Sequence, residues 1–559
     1  MSSSQSNTRT RSSSSVILSD EPSPGVGITD SISSEVDVWT SSHRSFGVLE
    51  LKNESEKMND SLQDGILAEF SITPRQQDSL QCCHFQGCFQ KLVFSIFACI
   101  IGSSFQYGYH IGVLNLPEKV LLEFYNDTLH SREKQYLSGN LKPFLWGLTV
   151  SIYCIGGMIG GYIASYFIKN FGRKTTLLWN NLPTIFALTL MCFSKLAHSF
   201  EMIIIGRFII GISAGISTSV APMYLNEIAP VHLRGFISTI NQSAILLGII
   251  MAQIVGLHSV WGKEEIWPLI FGLSVFPLII QMLTLPWCPE SPAYLINHDE
   301  DEAEAALVWL RGTHDVGYEL EELRTTKEEA RNKPQVTYID LFRISYLRKP
   351  LIICVMMMLS QQLSGINAVV FYSTRIFQSV NLSAKVAQIA SILTMVLNLM
   401  INFVSAFLVD RLGRKILHLA GLSGMFFASI FIVVASVFRE KYSWMSYLTV
   451  ACVCFYIIFF AIGPGSIPWF IGAELFLTGA REYAMSLAVV ANWLANFAVG
   501  ICFPFMDVYL NSYSFLIFTG LLLLFIVYTF LKVPETKGRK IEDIVADFQS
   551  ENIQERVLI

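Results

Sequence analysis

The sequence predicts an all-α membrane protein of twelve spanning helices, arranged as two six-helix bundles with a helical linker between them. Three observations lead there. Of the 559 residues, 52% are hydrophobic and only 15% are charged, whereas a soluble domain carries about 25% charged residues. The apolar residues gather into twelve nearly charge-free runs of about 20 residues, the length that crosses ~30 Å of hydrocarbon. Finally, landmarks of the first half return in the second at nearly one offset. Gly172-Arg173-Lys174 is echoed by Gly413-Arg414-Lys415, the Glu227/Arg234 spacing by Glu474/Arg481, and Pro289-Glu290-Ser291 by Pro534-Glu535-Thr536.

Taken in order, residues 1–90 are Ser-rich and polar and read as a disordered tail. The first bundle, 91–290, holds apolar runs at 92–113, 143–168, 176–194, 201–221, 236–257 and 266–286. The largest loop inside it, 114–142, carries the sequon Asn126-Asp127-Thr128, a credible glycan acceptor. The sequons at Asn53 and Asn59 would stay unused if the tail is cytoplasmic, and Asn381 sits in a much shorter loop. A charged linker, 291–350, follows, in which 300–311 and 318–332 read as amphipathic surface helices. The second bundle, 351–533, has runs at 351–374, 386–409, 416–438, 444–473, 484–505 and 508–531, and residues 534–559 form a short polar tail.

An even number of spans puts both termini on one side. Lys and Arg concentrate on the face holding Arg173, Arg234, the linker, Arg414 and Arg481, so that face and both termini are expected in the cytoplasm. Seven of the eleven cysteines fall inside the runs, and the outer loops need no disulfide framework. Cys82, Cys83 and Cys88, with His84, lie just before the first run. Inert thiols are the simplest reading; palmitoylation and metal binding remain open. The net charge of −5 offers no basic footprint for nucleic acid. No metal-ligand spacing, phosphate loop or nucleophile–base pattern suggests catalysis, so neither an enzyme nor a bound cofactor is expected. Two bundles related by a parallel repeat suit a carrier that rocks around a site near the bilayer midplane.

A set of motifs narrows this. Gly206-Arg207-Phe208, Pro222-Met223-Tyr224-Leu225, Pro289-Glu290-Ser291-Pro292, Gln361-Gln362-Leu363-Ser364-Gly365-Ile366-Asn367, Gly463-Pro464-Gly465, Pro468-Trp469-Phe470 and Pro534-Glu535-Thr536-Lys537-Gly538 occur in that order. From about 90 to 548 the chain resembles the sugar-porter branch of the major facilitator superfamily, and more narrowly its facilitative hexose transporters. The resemblance implies the major facilitator fold.

A sugar offers several hydroxyls and no charge, so its site needs neutral groups that both donate and accept. Asn and Gln amides do both, and in a membrane they are costly unless they face a cavity or a partner. Gln242, Gln361, Gln362, Asn367, Asn398 and Asn492 are such amides on four spans. Structural bonding between helices is the alternative for any one of them. The resemblance implies that all six ligate sugar. It also points to Trp469 as a stacking platform or gate, beside a Gly/Pro-rich break at 463–468 that permits bending. Ile245, Ile249 and Phe460 would line the same cavity, and Tyr372 would close it from outside.

Charges cluster at the cytoplasmic ends: Arg173, Glu227 and Arg234 in one half, Asp410, Arg414, Glu474 and Arg481 in the other. Acids recurring at matching positions suggest latches between the bundles that release as the halves rock, against the plainer role of snorkelling anchors. Arg207 lies inside the fourth run and needs a partner. His110 stands where proton-coupled relatives of this family carry Asp. A neutral, hydrogen-bonded His110 is expected, which disfavours proton coupling.

The pocket is a mixture. Met358 replaces a Gln usual in glucose carriers and Ala461 a Glu, while Trp469 points back to glucose. Ala293 and Glu482 also depart from the family pattern. The expectation is a passive plasma-membrane uniporter for hexoses, glucose first and fructose open. The alternatives are a proton-coupled symporter, a sugar sensor acting through its tail, and a carrier of another small solute such as urate.

Overall fold

The structure is a computed structural model, and it describes residues 90–134, 136–332, 336–380, 382–539 and 541–557. The tail with its sequons, Cys82, Cys83, His84, Cys88 and Asn381 lie outside the described residues. Among the described residues, 12 helices are long and apolar enough to cross a membrane. The first six spans are Gln90–Gly112, Leu141–Phe171, Arg173–Phe193, Glu201–Ile228, Arg234–Val255 and Pro268–Trp287. The second six are Ser345–Ser379, Ala384–Val409, Arg414–Phe438, Met445–Glu474, Gly479–Tyr513 and Phe515–Lys532. They are numbered 1 to 12 below.

Several spans are interrupted, and the breaks in spans 7 and 10 bear on the site. Span 7 consists of Ser345–Leu363 and Ile366–Ser379, separated at Gly365, whose φ of +95° suits glycine alone. A Cβ there would also sit 2.6 Å from the Phe518 ring. Span 10 consists of Met445–Ile462 and Ile467–Glu474, parted by Gly463-Pro464-Gly465-Ser466. The boundary between spans 11 and 12 differs from the sequence expectation. Span 11 runs on as helix through Pro504 to Leu510, and the chain turns only at Asn511, φ +45°. Residues 500–525 are almost uncharged, so hydropathy carries no signal for that turn.

The two halves meet along two seams, span 2 against span 11 and span 5 against span 8. Within the first half, spans 2 and 4 approach at backbone distance. A Cβ on Gly160 would lie 2.0 Å from the Ile212 carbonyl oxygen, and one on Gly215 would lie 2.1 Å from that of Gly157. Lipid tails are as apolar as leucine, so such close packing, rather than expulsion from water, drives helix association here. Large apolar side chains left exposed, including Phe186, Leu283, Phe407 and Phe530, give the belt that contacts lipid.

Three elements lie outside the bilayer. On the side away from the linker, 114–142 is not a plain loop: Glu118–Glu133 is helical. The linker has helices at Glu300–Arg311, Gly317–Asn332 and Tyr338–Arg343. It ties to the first half through Arg311, which donates to the Ile228 carbonyl at 2.9 Å, and approaches span 11 of the second where Tyr338 Oη lies 3.5 Å from Ser486 Oγ. The end of the chain also departs from expectation. Ile541–Val557 is a helix that buries Ile544, Val545 and Phe548, the first and last of them in the core of the second half. Their i, i+1, i+4 spacing was a readable amphipathic signal.

The glycine seam predicts a contrast. Gly215→Leu should overpack the span 2/span 4 contact by about 1–3 kcal/mol or more and cut the monodisperse yield in size-exclusion of detergent extracts. Gly520→Leu, where an added Cβ meets nothing within 4 Å, should leave that yield unchanged.

Candidate functional site

The break in span 10 leaves backbone carbonyls without their helical N–H partners. Gln361, in the last turn of the first helix of span 7, supplies the missing donors: its Nε2 donates to the carbonyls of Pro464 at 2.9 Å and Gly465 at 2.6 Å. Its Oε1 then accepts from Asn492 Nδ2 at 2.8 Å and Gln362 Nε2 at 3.2 Å. Gln362 also donates to Asn492 Oδ1 at 3.0 Å and accepts from Asn367 Nδ2. Asn367 sits in the first turn of the second half of span 7, just past Gly365. Four of the six expected amides are thus one network built on two helix breaks.

The other two stand on the second seam. Gln242 is on span 5 and Asn398 on span 8, and their side chains have no hydrogen-bond partner among the described residues. The seam itself is pinned beside them, where Asn402 donates to Ser243 Oγ at 3.1 Å. Ile249 is buried and touches Gly112 of span 1; Ile245 and Phe460 are half-buried. Trp469 opens the second helix of span 10 and is 38% exposed.

An aromatic cluster that sequence reading missed crosses between the halves. Trp493, next to Asn492, lies edge-on to Tyr107 at 6.0 Å and to Tyr153 at 6.1 Å. Its signal was a Trp in mid-span, far from the interfacial belts where Trp collects.

Arg207 finds its partner, and the partner is not an acid. It donates to the His110 carbonyl at 2.7 Å and to those of Thr149 and Val150 at 3.4 Å, and its guanidinium lies 4.5 Å from the centre of the Tyr153 ring. His110 corrects the expectation in one respect. Its ring is buried, but neither ring nitrogen has a hydrogen-bond partner among the described residues. It borders a small polar cavity lined by Gln106, Thr184, Ser213 and Ser217.

Away from the linker, the site is shut. Tyr372 is fully buried, donates to the Gly500 carbonyl at 2.8 Å and stacks on Phe503 at 5.1 Å, all within the second half. The closure between halves is made by Asn115, just after span 1. Its Nδ2 donates to the Val370 carbonyl at 2.8 Å and to Ser373 Oγ at 2.7 Å, and its Oδ1 accepts from Thr374 N at 3.3 Å.

At the linker end the described charges pair inside each half, and no ion pair between the halves is seen there among the described residues. Arg173 meets Glu227 at 2.8 Å, and Glu227 also accepts from Ser291. Arg414 meets Glu474 at 3.1 Å. Arg481 donates to the Phe476 carbonyl at 3.2 Å, and Arg234 is exposed at the start of its helix. The side chain of Asp410 lies outside the described residues. The physical reason is local: each acid is nearest the arginine that opens the third span of its own half. The Glu of each Pro-Glu repeat completes the arrangement. Glu290 accepts from the Arg173 and Lys174 amides at 2.9 Å, and Glu535 from those of Arg414 and Lys415 at 2.9 and 3.1 Å. Each carboxylate caps a helix N-terminus, where orphan N–H groups and the helix dipole favour negative charge. The expected acceptor Asn126 is on the outer helix, with Oδ1 accepting from Leu137 N at 2.8 Å.

Two halves of six spans, packed along spans 2/11 and 5/8 around an uncharged polar site, define a transporter of the major facilitator type. The comparisons with known proteins agree. The family model for sugar (and other) transporters matches residues 95–548. The facilitated glucose transporter member 3 of solute carrier family 2 from sheep (Ovis aries) is 45% identical over 462 residues, 82% of this chain and 93% of its own. Its human counterpart is 44% identical over 462 residues, 82% of this chain and 92% of its own. Among solved structures, the proton:xylose symporter XylE bound to 6-bromo-6-deoxy-D-glucose has a TM-score of 0.67 at 25% identity, covering 82% of this chain and 99% of that one. An inward-open XylE from E. coli has a TM-score of 0.66 at 24% identity, with the same coverage. The chain belongs to the sugar-transporter family and, within it, to the facilitated-glucose-transporter group.

Two predictions follow from the geometry. Gln361→Ala should leave the Pro464 and Gly465 carbonyls and the Asn492 amide short of partners, costing about 1–3 kcal/mol and lowering the detergent-solubilised melting temperature, while Asn398→Ala should leave it nearly unchanged. Glu290→Ala and Glu535→Ala should each cost roughly 1–2 kcal/mol as lost caps, and a thermal-shift series should find the two effects similar.

Proposed function

We propose that the protein is a passive uniporter for hexoses, with glucose the leading substrate and fructose the second. The observation that carries this is the amide network of Gln361, Gln362, Asn367 and Asn492; Gln242 and Asn398, on the spans 5/8 seam, complete the set. It is a set of neutral donors and acceptors with no ionised group, suited to sugar hydroxyls. The relatives named facilitated glucose transporters support the same substrate class. Alternating access then moves sugar down its gradient as spans 7 and 10 bend at their breaks. Trp469 stacks or gates, Phe460, Ile245 and Ile249 give the apolar wall, and Tyr372 belongs to the gate away from the linker. No cofactor or metal takes part. The bonding of Arg207 to carbonyls and an aromatic face, with no carboxylate, favours uniport over proton coupling.

In this reading the protein lies in the plasma membrane with the linker and both termini in the cytoplasm. Helix Glu118–Glu133 is then extracellular, and Asn126 is its glycan acceptor. The charged pairs Arg173–Glu227 and Arg414–Glu474, with Arg234, Arg481 and Asp410, form the cytoplasmic gate by re-pairing when the linker ends of the halves meet.

Uptake of radiolabelled glucose and fructose into proteoliposomes, with and without a proton gradient, tests this. Saturable, gradient-independent uptake of glucose is expected. Gln242→Ala should raise its KM roughly tenfold, about one lost hydrogen bond, at an unchanged melting temperature. Concentrative, acid-stimulated uptake would mean a symporter, and no uptake of either sugar by folded protein would end the hexose reading.

A further inference from the structure

Arg375 is a charge near the end of a long apolar span, one turn beyond Tyr372, and it touches both halves of the molecule. Its Nη1 lies 3.3 Å from Glu118 Oε1 on the outer helix of the first half, and its Nε lies 2.8 Å from Asp507 Oδ2 on span 11 of the second. The three side chains are 29%, 13% and 20% exposed. We propose that Arg375 is a positioning residue of the gate away from the linker: it clamps Glu118 while that side is shut and must release it whenever the amide site opens there. The proposal rests on the alternating-access reading above.

The surroundings argue for a clamp rather than an incidental surface pair. The neighbouring residue, Thr374, is bonded through its amide to Asn115, so the ion pair continues a line of contacts between halves. Above that line is a cavity of about 860 Å³ whose lining includes Asn115, Glu118, Thr374 and Arg375, and none of the amides of the network below. The clamp therefore sits between that vestibule and the site. Its two bonds differ in kind. Arg375–Asp507 lies within the second half and survives any rigid-body motion of the halves, holding the guanidinium in place. Arg375–Glu118 spans them and cannot survive their separation on that side.

Burial pushes the Glu118 carboxyl above its ordinary range, and Arg375 is the strongest of the opposing cations, ahead of Lys142 and Lys119, while Asp507 adds to the rise. Removing Arg375 therefore takes away a bond that ties the halves on this side and leaves Glu118 and Asp507 with only the weaker opposing charges of Lys142 and Lys119.

The test uses the full chain in nanodiscs, with fluorophores introduced through unnatural amino acids at Ser259 and Lys385, exposed on opposite halves at the vestibule. Single-molecule energy transfer reads the ratio of separated to closed states. Arg375→Ala should raise that ratio about fivefold, Glu118→Gln should move it the same way, and Arg375→Lys should restore most of the closed state. Gln378→Ala, lining the same vestibule without an ion pair, should not move it. If Arg375→Ala fails to fold, Arg375→Gln takes its place. An unchanged ratio in a folded Arg375 variant, or an equal shift in Gln378→Ala, overturns the proposal. The readout needs no sugar, so a shifted ratio without hexose uptake keeps the clamp and removes the hexose reading, and the converse result separates them the other way.

Discussion

Lipid neither donates nor accepts hydrogen bonds, and that single constraint organises this molecule. A carrier needs helices that bend, and a bend exposes backbone carbonyls that must find donors inside the protein. Gln361 meets the need at the span 10 break, accepting in turn from Asn492 and Gln362. The groups that satisfy the broken backbone are the same groups suited to a sugar.

The same constraint explains the buried charge in the first half. Arg207 is fully buried, and three main-chain carbonyls and the face of Tyr153 solvate it. A guanidinium is suited to this because its donors fan out in a plane and its flat face stacks on a ring. A carboxylate at that place would add a titrating partner; carbonyls do not titrate.

The internal repeat is written most plainly in electrostatics. Each half closes with a Pro-Glu whose carboxylate caps its third span, and each third span opens with an arginine paired to an acid at the end of the fourth span of the half. The linker end of each half is thereby braced by bonds within that half, separate from the bonds between halves. On the side away from the linker those bonds are made, through Asn115 and Arg375.

The twelve spans, the repeat, the amides and the recurrence of charges at the linker-side ends were all legible from order and composition, because length, charge scarcity and recurring motifs are properties of the chain alone. So was the inference that Arg207 must have a partner. Which partner it has was not, since main-chain carbonyls have no sequence signature. Nor was the pairing of Arg173 with Glu227 within one half, because charge pattern cannot say which of two nearby acids lies closer. The turn at Asn511 escaped for want of any hydropathy contrast, and Asn115, Trp493 and Arg375 escaped because each gains its meaning from residues of the opposite half. The sequence by itself determined what must be buried and what must be satisfied; only the tertiary structure decided by whom, because in lipid the choice among equivalent polar partners is made by distance.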